Sequence, residues 1–334
     1  MINIGIIGAA NIAEAFARGV APSDKVKVVA IASRDIKKAQ QFATEFNIEK
    51  QFGDYQELLD DDSIDAVYIP LPNSLHAEWA IRAARAKKHI LCEKPIAITV
   101  TEVRAMYDAA QQNNVVLMEG FPYLSQPQTI EVLTLIKKGE IGEVKNIYAD
   151  FGFTISGDQK NIRMNPALGG GCMWDAGIYP VSMIQAITGE LPVAVFATGT
   201  FNGDGIDTAM SATLQYENGI IASLYTNFFA SYHRYVRVIG SRGTISCGYA
   251  NHTNANFSSI EISGEPRPDE PRTFHVPFGD GFLFESETFY NRIKKEDARD
   301  QQQYLKQSEQ NISVTLEILA NARRLKKPLG TTNK

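Results

Sequence analysis

Ile2-Asn3-Ile4-Gly5-Ile6-Ile7-Gly8-Ala9-Ala10-Asn11-Ile12-Ala13 opens the chain as an apolar run that ends in a glycine. This order is typical of a first strand, a tight turn and a first helix, whose opening amides face a pyrophosphate. Ala10 stands where a second glycine is usual, so a plain strand-to-helix turn is the alternative. We expect a dinucleotide to contact Gly8, Ala10, Asn11 and Ile12.

Strand and helix patterns alternate from this turn to about residue 120. The strand runs are apolar throughout, as in parallel strands covered on both faces. We therefore predict an α/β, doubly wound parallel sheet in residues 1–121, the dinucleotide-binding Rossmann domain. The predicted strands are Ile2–Ile7, Val26–Ala32, Ala66–Ile69, His89–Cys92 and Val115–Met118, and the predicted helices are Ile36–Phe46, Ser74–Ala86 and Val100–Asn113.

The pattern changes in residues 122–334, where strands become longer and alternate. This predicts an α+β domain with a large, mainly antiparallel open sheet, used for substrate binding and oligomerisation. A large open face usually has a partner, so we expect a homodimer or homotetramer. The predicted helices are Gln128–Lys138 and Gln303–Leu325, and the predicted strands are Glu143–Ile155, Val193–Phe201, Asp207–Tyr216, Gly219–Phe228, Tyr235–Ile239 and Gly243–Cys247.

The 334-residue chain is 44% hydrophobic and 21% charged, with a net charge of −5, which fits two soluble globular domains. Its mild acidity argues against a nucleic-acid partner or an anionic membrane. Three scattered cysteines without metal-ligand spacing predict reduced thiols in a cytoplasmic protein and no metal site. We expect no signal peptide or membrane span.

The end of the second strand bears on the choice of cofactor. Ser33 and Arg34 can bind a 2′-phosphate, which favours NADP(H) over NAD(H). Alternatively Ser33 only caps the next helix, and Asp35 leaves room for a ribose contact. After the third predicted strand, Leu71-Pro72-Asn73 and His76 reach the edge where a parallel sheet binds its ligand. A solvated helix histidine is the alternative for His76.

Glu93-Lys94-Pro95 follows the fourth predicted strand at this same edge of the sheet. Pro95 forbids a helical conformation at Lys94 and fixes an irregular turn that directs the lysine toward the crevice. An ammonium group beside a reacting oxygen stabilises alkoxide charge and can relay a proton. Glu93 is expected to orient the lysine or pair with it.

A second group of candidate residues follows the glycine run Gly169–Gly171, which permits close packing against another body. On a helix from about Met173, Asp175 and Tyr179 are four residues apart and share a face. The carboxylate can orient a substrate hydroxyl, and the phenol can exchange a proton. Alternatively Asp175 is a first-turn charge and Tyr179 an ordinary, partly buried aromatic residue.

The combination resembles the glucose–fructose oxidoreductase/inositol dehydrogenase/rhizopine-catabolism (Gfo/Idh/MocA) family. The Glu-Lys-Pro and Asp-x-Gly-x-Tyr motifs in this order are specific to that family, and the resemblance spans nearly the whole chain. It implies an N-terminal NAD(P)-binding domain and a catalytic set of Lys94, Asp175 and Tyr179, with Tyr179 as acid/base. Tyrosine rather than histidine at 179 resembles the dimeric dihydrodiol dehydrogenase branch. Residues 118–123 depart from that branch at Gly120 and Pro122.

These observations predict an NAD(P)-dependent oxidoreductase that moves a hydride to or from a secondary alcohol or ketone of a sugar or cyclic polyol. A dehydrogenase of a non-sugar diol is one alternative. A cofactor-sensing regulator without catalysis is another, although such a protein usually lacks the lysine or the tyrosine. Tyr123, Arg163 and Trp174 are weaker candidates for the substrate wall.

Overall fold

The computed structural model describes residues 1–155, 161–249, 259–264, 267–277, 279–295 and 300–324. These residues form two compact units. The first unit contains the described residues of 1–130 and 277–309, and the second contains those of 131–249, 259–276 and 310–334. The predicted domain boundary after residue 121 stays a prediction.

Residues 1–120 alternate strands and helices, and their six strands form one parallel sheet in the order β3-β2-β1-β4-β5-β6. The strand order reverses between β1 and β4, where parallel sheets bind their ligands. The elements are β1 Ile2–Ile7, α1 Asn11–Val20, β2 Val26–Ala32, α2 Ile36–Phe46, β3 Lys50–Phe52, α3 Tyr55–Leu59, β4 Ala66–Ile69, α4 His76–Arg85, β5 His89–Glu93, α5 Val100–Gln112 and β6 Leu117–Gly120.

The remaining strands form an eight-stranded sheet in the order β14-β13-β12-β11-β7-β10-β9-β8. Only β7 and β10 pair in parallel among its described strands. The elements are α6 Pro127–Lys137, β7 Val144–Gly152, α7 Ile178–Thr188, β8 Ala194–Phe201, β9 Asp207–Gln215, β10 Ile221–Asn227, β11 His233–Gly240, β12 Gly243–Cys247, β13 Ser259–Gly264, β14 Arg267–His275, α8 Gly281–Ile293 and α9 Gln301–Arg324.

The predicted fold class is confirmed. In β1, Ile4, Ile6 and Ile7 are fully buried, as expected for a central parallel strand. In β7, Ile147 and Ala149 are fully buried whereas the alternating Tyr148 is exposed, so the eight-stranded sheet has one covered face and one open face. Helix α7 packs against the covered face at β7 and β10.

Several boundaries differ from the sequence predictions. Strand β6 begins at Leu117 rather than Val115, because the Val115 amide still bonds to the carbonyl of Ala110 at the end of α5. The strand continues through Glu119, which an apolar criterion leaves out. Strands β3, β13 and β14 and helices α3 and α8 were not predicted. The predicted last helix residue, Leu325, lies outside the described residues.

Helix α9 begins in the first unit and ends in the second. Within the described residues, no helix combines the length and the apolar character needed to cross a membrane. The cysteines Cys92, Cys172 and Cys247 are buried and form no disulfide.

Candidate active site

The turn after β1 places a glycine just before the N-terminus of α1. Gly8 has φ +112°, a conformation that favours glycine, and its amide donates to the Ala32 carbonyl at 2.9 Å. A Cβ on Gly8 would lie 2.8 Å from Leu71 Cδ2, so glycine lets the turn approach the loop after β4. Ala10 is the N-cap of α1 and has no side chain that accepts from its amides. The helix N-terminus therefore suits an anion, and these residues fit a dinucleotide.

The loop after β2 presents an arginine to solvent. Asp35, not Ser33, is the N-cap of α2, and its carboxylate accepts from the Lys37 amide at 3.1 Å. The buried Ser33 hydroxyl accepts from the Asp35 amide at 3.3 Å. Arg34 is exposed and makes no ion pair with any described residue. Arg34 therefore remains suitable for binding a phosphate group.

The loop after β4 contains Pro72 and a short 3₁₀-helix, Asn73–Leu75, ahead of α4. His76 is fully buried, and its ring nitrogens lie 2.8 Å from the carbonyls of Leu71 and Pro95. Burial lowers the pKa of His76, and a neutral ring donates to only one of these carbonyls. The His76 ring thus lies between the loop after β4 and the loop after β5.

Lys94 lies in a clamped turn, which we call the Lys94 turn and define as residues 93–96. Glu93 is buried, accepts from the Tyr68 hydroxyl at 2.6 Å and also accepts from the Lys94 amide at 3.2 Å. The Lys94–Pro95 peptide bond is cis, and the Lys94 side chain is half-buried. The hydrogen bonds of Glu93 therefore restrain the backbone that carries the Lys94 ammonium group.

Glu119 is a residue of this region that sequence reasoning left without a role. It lies on β6 beside β5, it is buried, and its carboxylate accepts from the Ile96 amide at 3.0 Å. Burial raises the pKa of Glu119 to about 7. An acidic residue that continues an otherwise apolar strand was the available signal.

The second unit contains the aspartate and tyrosine candidates. Arg163 Nε donates to Asp175 Oδ2 at 2.5 Å, and the charge of Asp175 raises the pKa of the guanidinium. Arg163 also interacts electrostatically with Tyr179. Tyr179 is buried, and its ring meets Phe151 edge-on with centroids 5.1 Å apart. The structure thus groups Arg163, Asp175 and Tyr179 within one unit.

The helix that carries Asp175 begins differently from the predicted α-helix. Residues Met173–Gly177 form a π-helical turn before α7. Such turns are rare in proteins as a whole, but those that occur are often found at functional sites. Trp174, in the same turn, is buried. Asp175 therefore belongs to a widened turn and Tyr179 to the regular helix that follows it.

Close contacts with neighbouring groups explain why positions 170 and 171 are glycine. A Cβ on Gly170 would lie 2.5 Å from the Arg163 carbonyl, and one on Gly171 would collide with the Asp207 carboxylate. The buried Asp207 accepts from the Met173 amide at 2.7 Å and from Cys172 Sγ at 3.1 Å. Glycine therefore lets the segment before the π-turn approach both neighbours. Asp207 is a further residue to which sequence reasoning assigned no role.

Tyr123 was proposed for the substrate wall and lies in a 3₁₀-helix of the first unit, Pro122–Ser125. Its side chain is fully buried, and its ring meets Phe121 edge-on with centroids 5.9 Å apart. Its role toward a substrate stays a prediction.

Comparisons with known proteins identify the family of this chain. Residues 2–121 match an oxidoreductase family with an NAD-binding Rossmann fold, and residues 129–246 match the GFO/IDH/MocA C-terminal domain. The chain is 38% identical over 247 residues to D-xylose 1-dehydrogenase (NADP(+)) 2 of Haloferax volcanii, covering 74% of this chain and 75% of that protein. It is 33% identical over 244 residues to trans-1,2-dihydrobenzene-1,2-diol dehydrogenase of Danio rerio, covering 72% of each.

A solved structure shares the fold over nearly its full length. KijD10, a 3-ketoreductase from Actinomadura kijaniata in complex with NADP and TDP-benzene, aligns with a TM-score of 0.86 and 28% identity, covering 96% of this chain and 97% of that chain. The chain therefore belongs to the Gfo/Idh/MocA family and is an NAD(P)-binding oxidoreductase. These relatives are named as enzymes and give no support to a regulator without catalysis.

Proposed function

We propose that this oxidoreductase prefers NADP(H) and interconverts a secondary alcohol and a ketone on a sugar, cyclic polyol or related diol. The Lys94 turn is the observation that carries the proposal. Glu93 and Glu119 accept from backbone amides of this turn, and the His76 ring lies 2.8 Å from its Pro95 carbonyl, so the backbone that carries the lysine is restrained. A restrained backbone lowers the entropic cost of placing one ammonium group beside a reacting oxygen.

The cofactor would be held by the turn after β1, with Gly8, Ala10, Asn11 and Ile12 at the phosphates. We place Ser33 and Arg34 at a 2′-phosphate, and Leu71, Pro72, Asn73, His76, Glu93 and Lys94 around the rest of the molecule. When bound, NADPH supplies the hydride for the substrate carbon.

The chain's own residues handle charge and proton in this proposal. As a ketone is reduced, its oxygen takes the electron pair of the C–O π bond and becomes an alkoxide. Tyr179 gives its phenolic proton to that oxygen, while the Lys94 ammonium stabilises the negative charge before transfer. Asp175 holds a neighbouring hydroxyl of the substrate. Trp174 and Tyr123 are proposed to line the substrate wall.

Arg163 has a supporting part in this scheme. Its ion pair with Asp175 orients the carboxylate. Its positive charge near Tyr179 favours the phenolate that remains after the proton leaves. We therefore assign Arg163 to the acid/base apparatus rather than to the substrate wall alone.

A non-sugar diol is the second candidate substrate, favoured by the similarity to a trans-dihydrodiol dehydrogenase. A panel of D-xylose, inositol and trans-1,2-dihydrobenzene-1,2-diol, each with NADP⁺, separates the two classes by the rate of NADPH formation. Turnover of the aromatic diol alone would reject the sugar assignment. No turnover of any of these alcohols or of matched keto-sugars with NADPH would count against both.

The cofactor preference is tested by titrating the protein with NADPH and NADH, using cofactor fluorescence. Arg34→Ala should weaken NADPH binding about tenfold to a hundredfold, the usual worth of a charged hydrogen bond, and leave NADH unchanged. Arg85→Ala is a matched control, since Arg85 is also exposed and lies on α4. Equal affinity of wild-type protein for both cofactors would reject the NADP(H) preference.

We also propose that the open face of the eight-stranded sheet pairs with a second copy, giving a homodimer or homotetramer. Strand register places Tyr148, Phe196, Ile221 and Tyr235 on this one face, and all four are exposed. Exposed apolar side chains that share one sheet face favour association. The unpaired, buried cysteines suit a reducing compartment, so we assign the protein to the cytoplasm.

A further inference from the structure

Glu119 supports the Lys94 turn from the neighbouring strand. The in-register pairing of β5 with β6 places Glu119 opposite Cys92, one residue before the turn. From there one carboxylate oxygen, Oε1, accepts the Ile96 amide at 3.0 Å. Ile96 is fully buried, so its N–H needs an acceptor, and Glu119 provides it.

The second oxygen of Glu119 is bound by the last helix. Ser308 Oγ on α9 donates to Glu119 Oε2 at 2.7 Å, and the Tyr107 hydroxyl lies 3.3 Å from the same Ser308 oxygen. All of these residues belong to the first unit. One carboxylate therefore joins α9 and α5 to the backbone that carries Lys94.

Hydrogen bonds, rather than tight packing alone, determine where this carboxylate points. A small pocket adjoins Glu119 and Ser308, and Phe121 and Tyr304 also line it. A side chain beside such space can take another rotamer once its bonds are lost. The bonds to Ile96 and Ser308 are therefore what hold the carboxylate under the turn.

We propose that Glu119 is a positioning residue for Lys94, and that Ser308 completes its support. The inference rests on the proposed catalytic role of Lys94 and extends it to a group that does not touch the substrate. Length, not charge, is the property required: the side chain must span from β6 to both Ile96 and Ser308.

Three substitutions of Glu119 separate the effect of side-chain length from the effect of side-chain charge. Glu119→Gln keeps the length, because its amide oxygen can accept from Ile96 and its NH₂ can donate to Ser308. Glu119→Asp keeps the charge but is one methylene too short to make both bonds. Glu119→Ala removes both properties. Ser286→Ala is a matched control, since Ser286 is fully buried in the same unit and bonds to the Leu283 carbonyl instead.

The first measurement is hydrogen–deuterium exchange of the peptide that contains the Lys94 turn, which needs no substrate. The turn should exchange at the wild-type rate in Glu119→Gln and Ser286→Ala. It should exchange at least about tenfold faster in the aspartate and alanine variants. Unchanged protection in Glu119→Asp and Glu119→Ala would overturn the inference.

The second measurement is kcat with the best substrate of the panel above, together with the Kd for NADPH. The glutamine variant should keep kcat within about threefold. The aspartate and alanine variants should lose about tenfold to a hundredfold in kcat, the scale of a misplaced catalytic group, with NADPH Kd within about twofold. A kcat loss in the glutamine variant equal to that in the alanine variant would overturn the inference.

The Lys94→Ala variant shows whether the proposed function or only the positioning role of Glu119 is wrong. If Lys94→Ala keeps wild-type turnover, the proposed function is wrong, whatever Glu119 does. If Lys94→Ala abolishes turnover while Glu119→Asp stays fully active, only the positioning role is wrong. Should the alanine variant fail to fold, the aspartate and glutamine variants decide between these outcomes.

Discussion

Replacing Glu119 with glutamine should remove a pH dependence from the stability of the first unit. Burial raises the pKa of this carboxyl to about 7, above its ordinary value of 4.5. A buried carboxyl with a raised pKa binds its proton more tightly in the folded state than in the unfolded state. Its contribution to stability is therefore present at low pH and is lost as the pH rises from 4.5 through 7.

The size of this loss follows from the two pKa values. At about 1.4 kcal/mol for each pH unit between 4.5 and 7, ionisation of Glu119 lowers the free energy of unfolding by roughly 3–4 kcal/mol. Most of this fall lies between pH 5 and pH 8. Glutamine has no proton to lose, so the stability of Glu119→Gln relative to the parent should rise by about 2–3 kcal/mol over that range.

Other ionisable groups surround this carboxyl, so only the difference between parent and variant isolates Glu119. Burial also raises the pKa of Glu285 in the same unit well above its ordinary value. Such shared contributions cancel when the two proteins are compared at each pH. The ionisable groups near Glu119 are Glu93, Lys94, Cys92 and Tyr107, with Arg292 and Tyr304 beside Tyr107.

Urea unfolding read by Trp79 measures this difference. The sequence has two tryptophans, and a Trp174→Phe background leaves Trp79 on α4 as the only fluorophore of this type. Unfolding curves at pH 5, 6, 7 and 8 are then compared for this parent, for Glu119→Gln and for a control, Glu57→Gln, at an exposed site on α3. A constant offset between parent and Glu119→Gln at every pH would refute the reasoning.

The remaining predictions concern the reaction, the glycine run and assembly. Lys94→Ala should lower kcat by about a hundredfold or more while NADPH Kd, measured by titration, stays within about twofold. Gly171→Ala should destabilise the protein by about 2–4 kcal/mol in thermal melts, because φ there is +129° and a Cβ would collide with Asp207; an unchanged melting temperature would contradict this. Ile221→Asp should give a smaller species in analytical ultracentrifugation, whereas Ile36→Asp, at an exposed site in the first unit, should not.

The chain alone predicted the Rossmann sheet well. Strands β1, β2 and β4 and helix α2 have the predicted bounds. The apolar runs of these three strands are interrupted only at Asn3 and Lys27, because both faces of a parallel strand are covered, and the runs end sharply. Strand β3 is an edge strand of three residues and leaves too short a pattern to recognise.

The sequence also allowed candidate residues in short motifs to be identified, because the backbone geometry of such motifs requires particular residue types. Gly8 sits at a positive φ, and Lys94 lies between a buried carboxylate and a proline. The π-turn at Asp175 was not predicted, since its hydrogen bonds depend on how Asp207 and the glycine run pack around it. The sequence did not reveal Arg163 as the partner of Asp175, because Arg163 is twelve residues away on a short helix of its own, with a second short helix between them.

Sequence by itself determined the fold class, the family, the nucleotide-binding turn and the identity of the residues proposed for catalysis. Each of these depends on local pattern or on short motifs. Only the tertiary structure decided that α8 joins the first unit, and that Glu119 and Ser308 meet beneath the Lys94 turn. These two residues are 189 positions apart, and contacts over such separations arise from packing of whole elements, which leaves no local signature in the chain.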